Sequence, residues 1–209
     1  MIRLFHPDAQ IDIFRHGKAV PQKDAAGGLE IQRHLTEEGR AQVRRLGAKI
    51  ADIPYDLVIS SPALRAMDTA FIAMSESRLT VMALFHVADD NELYMPMDQR
   101  HHDELLRLSL AIGHSRYGEY QDQSPALFGH FQSEMITALI KIPGIGNAKR
   151  IFVSNHGLIG SALAEVIYET ITGKPVDGPS RDIVRNTAVP ECGCLRVSQT
   201  GVEFIDYLA

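Results

Sequence analysis

Cysteine is almost missing from this chain of 209 residues, which carries only Cys192 and Cys194. Two residues apart on a strand, they share one face and lack the turn geometry of a disulfide or a Cys-x-x-Cys site. Both are expected to pack as free thiols in a reducing compartment. No apolar run approaches the roughly 18 residues that a membrane-spanning helix needs. The first ten residues, MIRLFHPDAQ, have neither the apolar core nor the small-residue cleavage site of a signal peptide, so a cytoplasmic protein with no membrane partner is expected. Lys/Arg-rich runs are missing too: 21 basic against 26 acidic residues leave a formal net charge of -5. That balance argues against a nucleic-acid partner, which needs a basic footprint, and any anion site must be local. Repeats, low-complexity tracts and linkers are also missing, which favours a single domain over 1–209.

What is present is an alternation of short apolar runs and amphipathic stretches, the pattern of α/β architecture. Strands are expected at Ile11 to Phe14, Asp56 to Ser60, 79–87 and 150–154, with a closing hairpin of "CLRV", the turn "SQTG" and "VEFIDYL". Thr36 followed by Glu37 and Glu38, with Val43, Leu46 and Ile50 beyond, predicts a capped helix. Ser61 and Pro62 predict the start of another that runs to Met74. Helices are also expected over "DELLRLSLAI", over "LFGHFQSEMITALIKI" and from Gly157 to Thr172, with a Gly-punctuated loop after the first of these. The polar stretch at about 95–135 reads as an insertion or cap over one face.

One arrangement recurs three times: an apolar strand ends, a loop or helix begins, and a cationic or imidazole side chain stands at the junction. These side chains are Arg15 with His16, Arg65, and His156. In an open parallel sheet, ligands bind beyond the carboxyl ends of the strands, where residues distant in sequence meet. Arginine forks and helix N-termini both favour phosphate oxygens. Each feature alone has an ordinary explanation as a chance tripeptide, a solvated helical Arg or a capping His. Their coincidence at three strand ends is what singles them out. The remaining histidines, His6, His34, His86, His101, His102, His114 and His130, lack metal-ligand spacing, so no metal and no cofactor is expected.

"FRHG" after the first strand, "SSPALRAMDTA" after the second, "NELY" beyond the third and "VSNHG" after the fourth resemble, in order, the motifs of the histidine phosphatase superfamily. "RHLTEEG" and "NTAV" resemble two further segments of that family. The resemblance implies a phosphoglycerate mutase-like fold, a three-layer α/β/α sandwich with a mostly parallel central sheet. It also implies a metal-independent phosphatase that passes through a phosphohistidine intermediate. By position, His16 is the nucleophile, Arg15, Arg65 and His156 hold the phosphoryl group, and Glu92 of "NELY" is the proton donor, with Asp89, Asp90 and Glu104 as alternatives. Gly17, Lys18 and Gly157 are possible substrate contacts, and Gly17 is expected to let the backbone approach the phosphate. The expected substrate is a phosphorylated small molecule or a phosphoprotein, as a phosphomonoester or phosphoramidate.

"RHGKAVPQK" lacks the Glu and downstream Asn that the mutases carry, so the chain is more similar to the short bacterial phosphatase branch. The alternatives are a non-catalytic phospho-ligand binding module of the same fold and a phosphomutase.

Overall fold

The computed structural model describes residues 4–76, 84–88, 99–112 and 116–209. Six strands form one sheet: β1 (Gln10–Arg15), β2 (Leu57–Ser60), β3 (Leu84–Val87), β4 (Arg150–Asn155), β5 (Cys194–Ser198) and β6 (Gly201–Ile205), in the order β3-β2-β4-β1-β5-β6. The first three pairings in that order are parallel, and the closing two, β1 with β5 and β5 with β6, are antiparallel. The sheet is mostly parallel, as expected.

Alternation along the strands divides the core in two. Ile11 and Ile13 of β1, Ile151 and Val153 of β4, and Leu57 and Ile59 of β2 face one side; Phe14, Phe152 and Val58 face the other. Phe14 and Phe152 stack across the β1–β4 pair with ring centroids 4.6 Å apart. Both rings are fully buried, and truncating either to Ala costs about 3–5 kcal/mol. The Phe side is covered by α1 (Glu37–Ile50) and α2 (Leu64–Ser75), through Val43, Leu46, Ile50 and Ala70. The other side is covered by α4 (Tyr117–Gln123), α5 (Pro125–Ile140), α6 (Gly157–Thr172) and α7 (Gly178–Asn186), with Leu105 of α3 (Gln99–Ile112) joining them.

Thr36 caps α1 as its spacing predicts, accepting from the Gly39 N–H at 3.0 Å, a contact worth about 1 kcal/mol. Helix α2 begins two residues later than expected, because Ser61 N–H is held by the Ser154 carbonyl at the sheet edge and Ala63 takes the cap position. Where a loop is expected after Ile112, α4 forms: Tyr117, Gly118 and Tyr120 are buried, and a Cβ on Gly118 would meet Arg185 of α7 at 3.0 Å. Burial overrides the helix-breaking tendency of that glycine. Helix α7 is short and has no long periodicity to announce it, although Pro stands at its start and Asp177 precedes it. Cys192 and Cys194 are buried free thiols, but Cys192 sits before β5 in a turn with φ 61. Residues 79–83 of the expected third strand lie outside the described residues.

Candidate active site

The register of the sheet brings the strand-end residues together. Arg15 pairs with Asn155 across β1 and β4, so His16 and His156 emerge side by side, with ring centroids 5.8 Å apart. Ser60 of β2 pairs with Ser154 of β4, which places the start of α2 at the same edge. Arg65, the second residue of α2, leans back over that edge as helical side chains do. Its side chain is almost wholly buried, 1% exposed, and its Nε–H donates to His16 Nε2 at 2.9 Å.

Those contacts settle the form of His16. Nδ1 lies 2.8 Å from the Gly17 carbonyl, which only accepts, so Nδ1 carries the proton. Nε2 receives the Arg65 donor, so Nε2 presents the lone pair. Burial, followed by the Arg65 charge, holds the His16 pKa well below its ordinary 6.5, with the Gly17 bond opposing and His156 and Arg15 adding to the depression. The ring is neutral at pH 7. Arg15 Nη1 donates to the Val189 carbonyl at 2.8 Å, while its buried Nε has no partner among the described residues. Burial lowers the Arg15 pKa, Glu191 opposes this, and Arg65 and Arg33 add to it. His156 is the N-cap of α6, whose first turn leaves N–H groups without intrahelical partners at the site edge. A cavity of about 450 Å³ opens over Arg15, His16, Arg65, His156 and Gly157.

A neutral imidazole with its lone pair among arginines at parallel strand ends fits the family that the motifs resemble, and residues 11–194 match the profile of the histidine phosphatase superfamily (branch 1). The chain belongs to that superfamily. Among solved structures, the alpha-ribazole phosphatase of Shigella flexneri is 18% identical with a TM-score of 0.56, covering 94% of each chain. The protein histidine phosphatase SixA, solved with tungstate, is 18% identical with a TM-score of 0.52, again covering 94% of each. At such identity these likenesses establish the fold. The 2,3-bisphosphoglycerate-dependent phosphoglycerate mutase 1 of Arabidopsis thaliana is 27% identical over 121 residues, 54% of this chain and 36% of that one. The chain spans about a third or less of the length of the curated relatives it matches.

Within this histidine phosphatase fold, the structure brings Arg15, His16, Arg65, His156 and Gly157 to one cavity. Gly17 lies against α1. A Cβ there would lie 2.8 Å from Val43 Cγ2 and 2.9 Å from the Gly39 carbonyl, so the missing side chain permits a close approach to α1. Its N–H donates to Thr69 Oγ1 at 3.2 Å. Lys18 is also turned toward α1: its ammonium pairs with Glu38 on an exposed surface, outside the cavity lining. Glu92, Asp89 and Asp90 lie outside the described residues, and Glu104 accepts from Ser124 Oγ and is not among the residues that line the cavity.

Sequence reasoning missed Glu30 and Arg33. Glu30 opens the last of three short 3-10 turns (Gln22–Asp24, Ala26–Gly28 and Glu30–Gln32), and Arg33 follows it. Glu30 meets Arg65 twice, through its carbonyl at 2.7 Å from Nη1 and its carboxylate at 2.8 Å from Nη2. Arg33 holds both oxygens of the same carboxylate, at 2.9 and 3.1 Å. "RHLTEEG" contains Arg33, but nothing in its spacing directs that side chain into the site.

Proposed function

We propose that this protein is a metal-independent phosphatase acting through a phosphohistidine on His16. The observation that carries the reading is the neutral His16 ring, with its proton on Nδ1 and its lone pair on Nε2 beside Arg65. Arg15, Arg65 and His156, with the N-terminus of α6, hold the phosphoryl oxygens and balance their charge, so the site's own cations do the work a metal would otherwise do. The Nε2 lone pair attacks phosphorus, the P–O ester bond breaks, and the leaving oxygen takes a proton from the Glu92 carboxyl group. Water then attacks the phosphohistidine, gives its proton back to the Glu92 carboxylate, and releases inorganic phosphate while the ring recovers its lone pair.

The chain works as a single domain in the cytoplasm, with the described helices of the 95–135 stretch covering one face of the sheet. SixA, which shares the fold, was solved with tungstate, an oxyanion like phosphate, in keeping with an oxyanion site on this fold. A brief incubation with a labelled phosphate ester, quenched without acid, should leave protein-bound phosphate that is acid-labile and base-stable. Chelation should leave that labelling unchanged. Label that survives in His16→Ala sinks the assignment, and a pocket that binds vanadate but never labels or turns over is a binding module instead.

A further inference from the structure

Beyond the cationic floor, the same cavity has an apolar wall. Leu105 and Leu106 of α3, Tyr117 and Tyr120 of α4, and Leu158 and Ile159 of α6 line it. Tyr117 commits its hydroxyl elsewhere, donating to Glu165 Oε2 at 2.7 Å, so its ring is what it offers the cavity. Leu106 is 52% exposed, an apolar side chain left facing solvent at the cavity mouth. Among the described residues that line the cavity, three arginines (Arg15, Arg33 and Arg65) stand against two glutamates (Glu30 and Glu191), a net of +1 apart from the two histidines. One phosphoryl dianion already takes up that positive charge. Arg33 is engaged by both oxygens of Glu30 and by the Val20 carbonyl at 2.7 Å. A second carboxylate or phosphate on the substrate would face Glu30 or Glu191 among the described residues.

We infer that the substrate carries one phosphoryl group on an uncharged, largely apolar or aromatic leaving group, seated against the wall of α3, α4 and α6. This deepens the phosphatase reading and rests on it. Phosphoglycerates and bisphosphates are disfavoured by the same charges, because each adds an anion where the described wall is apolar.

Non-hydrolysable phosphonates separate this inference from turnover. Calorimetry on the full chain should give 3-phenylpropylphosphonate an affinity on the order of 10²-fold tighter than methylphosphonate or 3-phosphonopropionate, the scale of burying several methylene groups. Orthovanadate should displace it. Leu106→Asp changes a half-exposed position and should narrow that ratio by about tenfold or more. Equal or tighter binding of 3-phosphonopropionate, no displacement by vanadate, or a ratio unchanged in Leu106→Asp would overturn the inference. Ester hydrolysis without a preference for the apolar compound sinks the wall and leaves the phosphatase standing. The expected ratio with no hydrolysis or labelling of His16 does the reverse.

Discussion

His16 and His156 follow directly from β1 and β4, two strands joined by a six-residue parallel register, whereas Leu106 and Tyr120 stand on α3 and α4, which reach the cavity only through side-chain packing. Backbone hydrogen bonds repeat at a fixed spacing, so the floor's residues are held to one geometry by the sheet itself. Helices packed by side chains have a wider choice of position and sequence. On the proposed reading, chemistry that depends on alignment of a lone pair belongs to the ladder, and recognition of a leaving group belongs to the helices. The wall can therefore be altered without moving the nucleophile.

Arg65→Ala should have the largest effect and should fall on the floor alone. Turnover of every phosphate ester should drop on the order of 10²-fold or more, by a similar factor for small and bulky esters, as loss of a charge-stabilising donor does. Steady-state kinetics on methyl and phenylpropyl phosphates check this. A loss confined to the bulky ester would place Arg65 in the wall's function and erase the distinction between the two regions.

The second test concerns the charge state of the floor. Because burial and then Arg65 depress the His16 pKa, the neutral ring is favoured by folding, and protonation should begin only well below pH 6.5. The sign follows from proton uptake: between the folded and unfolded pKa values the unfolded chain binds more protons, so stability from this group falls as pH drops below 6.5 toward the folded value. NMR titration of the histidine Cε1–H signals, with the His16 signal assigned by its loss in His16→Ala, should show its midpoint well under 6.5. A midpoint at or above 6.5 would mean that the floor does not hold a neutral nucleophile.

Glu30→Gln should have the smallest effect. Glu30 is a partly exposed carboxylate paired with Arg65, so in the proposed reaction it would compete with the substrate's own oxygens. Its neutralisation should tighten competitive inhibition by inorganic phosphate a few-fold, the scale of a partly exposed ion pair. Weaker inhibition by phosphate would instead assign Glu30 to holding Arg65 in place for the ligand.

The sequence by itself determined the parts of this protein that depend on short-range rules. Alternation of apolar residues set the strands, Thr36 set the start of α1, and the cationic side chains at strand ends identified Arg15, His16, Arg65 and His156 before their meeting could be seen. Parallel strands with helical crossovers put their carboxyl ends on one edge, so the convergence was already implicit in the order of elements. The directions of Lys18, Gly17, Glu30 and Arg33 were decided only by the tertiary structure. Each lies in irregular chain or a single 3-10 turn, where no long period ties a side chain to a face, and contacts fix its direction: Glu38 for Lys18, α1 for Gly17, and Arg65 for the Glu30 carboxylate that Arg33 also holds. Helix α4 belongs with them, since its tyrosines are helical because the fold buries them against α5 and α7, a long-range term that no local propensity contains.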